Sequence, residues 1–219
     1  MRGPPRRRPF PFAPATLAVM VAGDGHRELW LVRHGETEAS RGRRLAGWSD
    51  VPLTERGEEQ ATALRPFLAG ERFDGVWSSD LRRAIATARL AWGEPRQDER
   101  LREMGFGALE GRAWETLEAS LQEGIARFEG FAAPGGESFS GLRSRVFAFV
   151  EELGPGRHLV FTHGGVVRLL SREAGEDQFV PTGTLLVVDW EGRRLVSRRD
   201  GEGEASRGLP ISAGVQEDR

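Results

Sequence analysis

The chain contains no cysteine, tyrosine, lysine or asparagine among its 219 residues. Without cysteine there is no disulfide, no thiol nucleophile and no thiolate metal site. Without lysine there is no Schiff-base chemistry and no ammonium contact to a phosphate, and all 31 basic residues are arginine. Lys, Asn and Tyr share A/T-rich codons, so G/C-rich coding accounts for their joint absence. An excess of one charge is also missing. The formal net charge of −2 provides no basic surface for a nucleic-acid backbone. No apolar run is long enough to span a bilayer as a helix, so no membrane partner and a cytoplasmic location are expected. What remains, 38% hydrophobic and 29% charged residues, describes a globular chain with length for one α/β domain and its tails.

The two ends differ from the middle. The N-terminal MRGPPRRRPFPFAPATLAVMVAGDG has basic residues, a short apolar run and small residues, the outline of a secretory signal. Arg7-Arg8 before Phe10 faintly suggests a twin-arginine signal, but Pro9, Pro11 and Pro14 interrupt the apolar stretch and no clean cleavage site follows. Residues 1–27 are therefore expected to be a disordered extension, or to precede a later start near Met20. Residues 200–219 are polar and Gly-rich and read as a disordered tail. The domain is expected over residues 28–199.

Within it, ELWLV (28–32) stops abruptly at polar residues, as a buried strand does. A helix follows Thr54, a good N-cap, with Ala61, Leu64 and Leu68 on one face. FDGVWSSD supplies a second strand, and LRRAIATARLAW a helix that Ser79 or Asp80 is placed to cap. Amphipathic stretches AWETLEASLQEGIARFEGF and SFSGLRSRVFAFVEEL come next. RHLVFTHGGVVRLLSREAG reads as strand, Gly-Gly turn and helix, and TLLVVDWEGRRLVSRRD as a hairpin about Glu191-Gly192. Alternating strands and helices predict a three-layer α/β/α sandwich: a mostly parallel sheet, helices on both faces, and an antiparallel edge strand from the hairpin.

Ligands of such sheets bind beyond the carboxyl ends of the strands. WLVRHG and VFTHGG share one design, a hydrophobic strand ending in histidine and glycine. If the strands are neighbours, His34 and His163 face one crevice. Arg33 and His34 at one strand end, Arg83 on the first turns of a following helix, and His163 at a third end offer four donors for one phosphoryl group. With no Cys or Lys and no metal motif, the nucleophile must be Ser, Thr, His, Asp or Glu. A histidine kept neutral by nearby arginines suits that role. Gly35 would leave room for the phosphoryl group, and Glu103 in LREMGFGALEG is a candidate general acid.

The ordered segments LVRHGET, GWSDVPLTERGEEQA, SSDLRRAIATA, LREMGFGALEG, PGGESF and VFTHGGVVR resemble the histidine phosphatase superfamily, also called phosphoglycerate-mutase-like, over about residues 28 to 190. The resemblance implies that His34 is transiently phosphorylated. It implies a phosphate pocket of Arg33, Arg83, His163 and the Gly164 backbone, with Glu103 as the acid and no metal or other cofactor. Trp48 and Asp50 are expected to serve packing and turn chemistry. The family pattern R-H-G-x-T-x-W-N ends here in Ala39-Ser40, so Ser40 replaces an asparagine that helps hold the phosphate, with shorter reach.

Mutases of this family also grip the glycerate carboxylate with a tyrosine and a lysine, and EMGFG stands where they carry E-R-H-Y-G. FGALEG and PGGESF are similar to the small phosphatase branch, which includes α-ribazole-phosphate phosphatase of cobalamin assembly. The expected substrate is a small phosphomonoester, α-ribazole 5′-phosphate before other sugar or nucleotide esters, handled by a monomer or homodimer. The alternatives are a phosphoglycerate mutase and a non-catalytic phosphate-binding module.

Overall fold

The apolar run at 29–32 does form the buried heart of a strand. In the computed structural model, which describes residues 25–201, β1 (Arg27–Arg33) buries Leu29, Trp30, Leu31 and Val32. It lies fourth in a six-stranded sheet. β2 (Gly75–Ser78), β3 (Arg96–Gln97) and β4 (Gly156–Thr162) run parallel with it; β5 (Leu185–Asp189) and β6 (Arg194–Arg199) pair antiparallel, in the order β3-β2-β4-β1-β5-β6. The predicted hairpin is thus β5–β6, its turn closed by the Gly192 amide on Asp189 at 2.8 Å. The expected extension and tail lie, apart from their inner edges, outside the described residues.

Alternation along the strands divides the interior in two. Leu29 and Leu31 join Val160, Leu186 and Val188 on one face, covered by α6 (Phe139–Glu152) and α7 (Gly164–Arg172) through Leu142, Val146, Phe149, Val166 and Leu170. Trp30 and Val32 join Phe161, Leu185 and Val187 on the other. That face is covered by Leu64, by Leu68 of α3 (Arg65–Leu68) and by Ala88 and Ala91 of α4 (Arg82–Ala91). Helices on both faces of a mostly parallel sheet are the predicted architecture. Among the described residues, no helix is long and apolar enough to cross a membrane.

Local chemistry explains the element ends. The Thr54 side chain accepts the Gly57 amide at 3.1 Å and starts α2 (Glu55–Thr62) as expected. The one helix read there is two, because Pro66 cannot donate inside a helix and instead sits in the first turn of α3. A short α1 (Glu38–Arg41) follows β1, and only Ala119–Arg127 of the long amphipathic stretch forms α5, after a 3₁₀ turn at Trp114–Thr116. The cap of α4 is neither Ser79 nor Asp80. Its N-cap is Leu81, and the Arg82 amide donates to Asp50 at 2.9 Å, from a loop 32 residues away in sequence. Asp80 is engaged by Arg102 instead.

Gly35 has a different task from the one expected of it. A Cβ there would run into the Gly57 carbonyl, and one at Gly57 would run into the Glu36 carbonyl. Two glycines let the chain behind β1 cross the first turn of α2 at backbone contact. Helix propensity alone predicts that Gly57→Ala stabilises by about 1 kcal/mol. The crossing predicts the opposite sign, a loss of about 1–3 kcal/mol from overpacking, to be read as a lower urea midpoint at unchanged slope.

Candidate active site

Because β1 pairs with β4 in register, with Arg33 opposite Thr162, both histidines emerge side by side at the carboxyl edge. The His34 amide donates to the Thr162 carbonyl at 2.9 Å. The rings of His34 and His163 meet edge to face, 5.2 Å between centroids. His34 Nδ1 lies 2.7 Å from the Gly35 carbonyl. A carbonyl only accepts, so Nδ1 carries the proton and the Nε2 lone pair is left for chemistry. Both nitrogens of fully buried His163 lack a hydrogen-bond partner among the described residues.

The predicted cations surround this pair. Arg83 is 1% exposed; its two terminal nitrogens donate to the carbonyls of Ser49 and Gly47 at 2.8 and 2.7 Å, and its buried Nε has no partner among the described residues. Burial pushes the Arg83 guanidinium down to about 10, well above neutrality. Arg33 donates to the Val180 carbonyl and stacks 5.2 Å from the Phe179 ring. Gly164, first residue of α7, passes so close that a Cβ would sit 3.2 Å from the Arg33 guanidinium carbon. First-turn amides of a helix have no intrahelical acceptor, and the residues that carry them here, Gly164 and Gly165, line the same cleft.

Burial holds His34 well below its usual pKa, with Arg83 and then Arg33 adding to the effect against the opposing Gly35 hydrogen bond. Burial does the same to His163, reinforced by Arg83, His34, Arg145 and Arg33. Both rings are thus held neutral at pH 7.

Glu103 arrives from the loop after β3. One carboxylate oxygen accepts the Met104 amide at 2.9 Å and the other the Gly165 amide at 3.1 Å. It therefore sits on the start of α7, one residue beyond Gly164, and a Cβ at Gly165 would collide with it. Ser40 lines the cleft, but its hydroxyl is engaged in the capping box of α1: it accepts the Thr37 amide at 2.9 Å and donates to the Thr37 carbonyl at 3.0 Å. A phosphate contact from Ser40 requires release of that cap. The cleft shared by Arg33, His34, Ser40, Arg83, Glu103 and Gly164 holds about 170 Å³.

The roles of three supporting residues escape a reading of the sequence. Glu110 accepts the Trp48 amide at 2.9 Å and the Ser49 amide and hydroxyl at 2.9 and 2.5 Å, fixing the turn whose carbonyls hold Arg83. Arg145 donates to the carbonyls of Arg100, Arg102 and Glu103 at 2.7, 2.7 and 2.9 Å, and forks onto both oxygens of Glu137. Glu137 stands in the PGGESF motif and Glu110 in FGALEG, the sequence signals that mark this region. Trp48 and Asp50 have the structural parts expected of them: Trp48 Nε1 donates to the Glu103 carbonyl at 2.7 Å, and Asp50 caps α4. Among the described residues, one group of His, Asp and Glu side chains is spaced to share a cation: His26, Asp189 and Glu191, at the opposite end of β1. Its carboxylates already bind Arg27 and Arg194.

Residues 29–196 match the profile of the histidine phosphatase superfamily, branch 1. The chain belongs to this superfamily. Its relatives include the adenosylcobalamin/α-ribazole phosphatase of Escherichia coli K12, 38% identical over 157 residues, 65% of this chain and 76% of that one. Another is the fructose-2,6-bisphosphatase TIGAR B of Danio rerio, 33% identical over 68% of this chain and 60% of its own length, so the chain spans less than two thirds of that relative. Among solved structures, a phosphoglycerate mutase from Thermus thermophilus is 51% identical with a TM-score of 0.73, covering 78% of this chain and 97% of that one. Relatives in this family carry phosphatase names, and one solved neighbour carries a mutase name.

The two buried neutral histidines tie the stability of the chain to pH. Unfolded imidazoles bind protons near 6.5, whereas the folded ones resist protonation. Their contribution is therefore complete above about pH 6.5 and declines as pH falls below it, by at most ~1.4 kcal/mol per unit for each ring. Urea midpoints should drop between about pH 7.5 and 5.5, the range that brackets the free imidazole. A His34→Gln/His163→Gln double variant should lose that dependence.

Proposed function

We propose that this phosphatase hydrolyses small phosphomonoesters through a phosphohistidine on His34. The observation that carries the reading is the His34 Nδ1 bond to the Gly35 carbonyl, which leaves Nε2 as a lone-pair nucleophile beside Arg33, Arg83 and His163. In the first step Nε2 forms a bond to phosphorus as the ester P–O bond breaks, and the Glu103 carboxyl passes its proton to the departing alcohol. In the second, water attacks phosphorus, its proton returns to Glu103, and the P–N bond breaks to free phosphate and neutral His34. Arg33, Arg83, His163 and the Gly164 amide hold the transferring oxygens, the part a divalent cation plays elsewhere.

Among substrates, α-ribazole 5′-phosphate is the leading choice, on the likeness to the E. coli phosphatase and on the sequence segments FGALEG and PGGESF. A place in cobalamin assembly follows only with that substrate. The Thermus structure described as a mutase supports a second reading, phosphoryl return to a glycerate. Against it, the chain has neither the lysine nor the tyrosine of the carboxylate grip.

Wild-type protein stopped during turnover should carry an acid-labile phosphate that maps to His34 and is absent from His34→Ala, with activity retained in EDTA. Label on a serine or aspartate would defeat the mechanism. Supplied with 3-phosphoglycerate and catalytic 2,3-bisphosphoglycerate, or with α-ribazole phosphate, the enzyme should release phosphate faster than it isomerises. Faster isomerisation would establish the mutase reading.

The role of Glu103 has its own measurement. Glu103→Gln should slow alkyl phosphates by about 100-fold or more, in the range of general acid catalysis, while p-nitrophenyl phosphate, whose leaving group needs little protonation, is slowed far less. Equal losses on both would remove Glu103 from the acid role.

A further inference from the structure

We propose that the leaving-group side of the cleft is an apolar slot, and that the preferred substrates are phosphomonoesters whose alcohol carries an alkyl or aryl body, as opposed to glycerate or a sugar bisphosphate. The inference rests on the phosphomonoesterase reading of the same site and narrows its substrate class.

Beyond the phosphate end, the cleft wall is made by Leu45, Phe106, Trp114, Ile125 and Phe128, all of them buried. Of its other polar side chains, Thr37, Ser40 and Arg168 are engaged and the exposed Arg44 partly so. Thr37 and Ser40 close the cap of α1. Arg168 is bound to Asp177 at 2.6 Å and to the Ala126 carbonyl at 2.8 Å, and its guanidinium lies 4.8 Å from the Phe128 ring centre. Arg44 donates to the Gly111 carbonyl at 2.9 Å. An alcohol rich in hydroxyls would give up water here and find few unengaged partners, whereas an apolar body exchanges water for carbon surface.

Two features place this wall where the alcohol departs. Gly165 is the point where both meet: a Cβ there would touch the Glu103 carboxylate on one side and the Phe128 ring edge, at 3.4 Å, on the other. The acid and the apolar wall are thus adjacent. Phe128 also caps α5 in the left-handed conformation, φ 60° and ψ 25°, a position that favours glycine. The phenyl ring occupies it nonetheless, stacked 4.6 Å from Phe139 with its edge at the head of α7. A side chain held against backbone preference, beside the acid, fits a wall that substrate touches.

Primary n-alkyl phosphates test the slot cleanly, since beyond ethyl the alcohols differ little in acidity and only apolar length changes. From ethyl to octyl phosphate, kcat/KM should climb roughly fourfold per methylene until the slot is filled. Hexyl phosphate should then outrun glycerol 3-phosphate and 3-phosphoglycerate by about tenfold or more. Phe128→Gly, which suits the left-handed backbone, should cut the octyl-to-ethyl ratio by about tenfold or more. A flat series, or glycerol 3-phosphate ahead of hexyl phosphate, in enzyme that still forms phosphohistidine would overturn the slot and leave the phosphomonoesterase reading standing. Failure to form phosphohistidine from any ester would overturn that parent reading and the slot with it.

Discussion

The guanidinium of Arg83 surrenders nearly all its water on folding, and a charge so placed needs acceptors of fixed position. They come from a surface turn, the carbonyls of Gly47 and Ser49, and the turn cannot hold itself. Glu110 holds it by bonding the amides of Trp48 and Ser49, and Gly47 is a glycine because a Cβ would strike that same carboxylate. From the turn, Asp50 reaches the first amide of α4, the helix that carries Arg83. Charge, turn and helix start are one closed arrangement. Its field, second only to burial, keeps both histidines neutral.

The Glu103 side of the cleft follows the same logic with different atoms. The segment leading to Glu103 has little regular structure, so its carbonyls lack ladder partners and need donors from elsewhere. Arg145 of α6 supplies them, spanning three carbonyls while Glu137 neutralises its charge. Glu137 also accepts the Gly105 amide at 3.2 Å, and its own amide donates to the Gly105 carbonyl at 2.7 Å. A planar fork with five donors fits this task, and a lysine would not. The exclusive use of arginine in this chain suits the way its loops are tied.

How much of this is legible in the residues depends on the range of the interaction. Thr54 caps α2 through a residue three positions on, a local signal, and the sheet declares itself because strand, histidine and glycine occur twice. The cap of α4 misleads because the acceptor that matters, Asp50, lies in a distant loop, while the local candidate Asp80 is taken by Arg102. Gly35 suggests open space for a ligand, yet its constraint is the Gly57 backbone. The tasks of Glu110 and Arg145 are invisible for a common reason, even though Glu110 stands in the quoted FGALEG segment: their partners are mainly main-chain groups, which leave no trace in residue identity. Ser40 resembles a shortened asparagine, but three residues upstream stands Thr37, with which it forms a capping box.

The pairing of β1 has a consequence for how the protein is made. Its two neighbours, β4 and β5, come from the far part of the chain; Glu28 and Arg157, which bond across the β1–β4 pair, are 129 residues apart. While a ribosome is still producing the middle of the protein, a strand with an apolar heart has been synthesised and has no mate. His34 acquires its buried, neutral state only when β4 docks and brings His163 with it. The nascent chain therefore carries an unsheltered sheet-forming segment for most of its synthesis, and the phosphate-end constellation comes into being late, as a property of the nearly finished polypeptide.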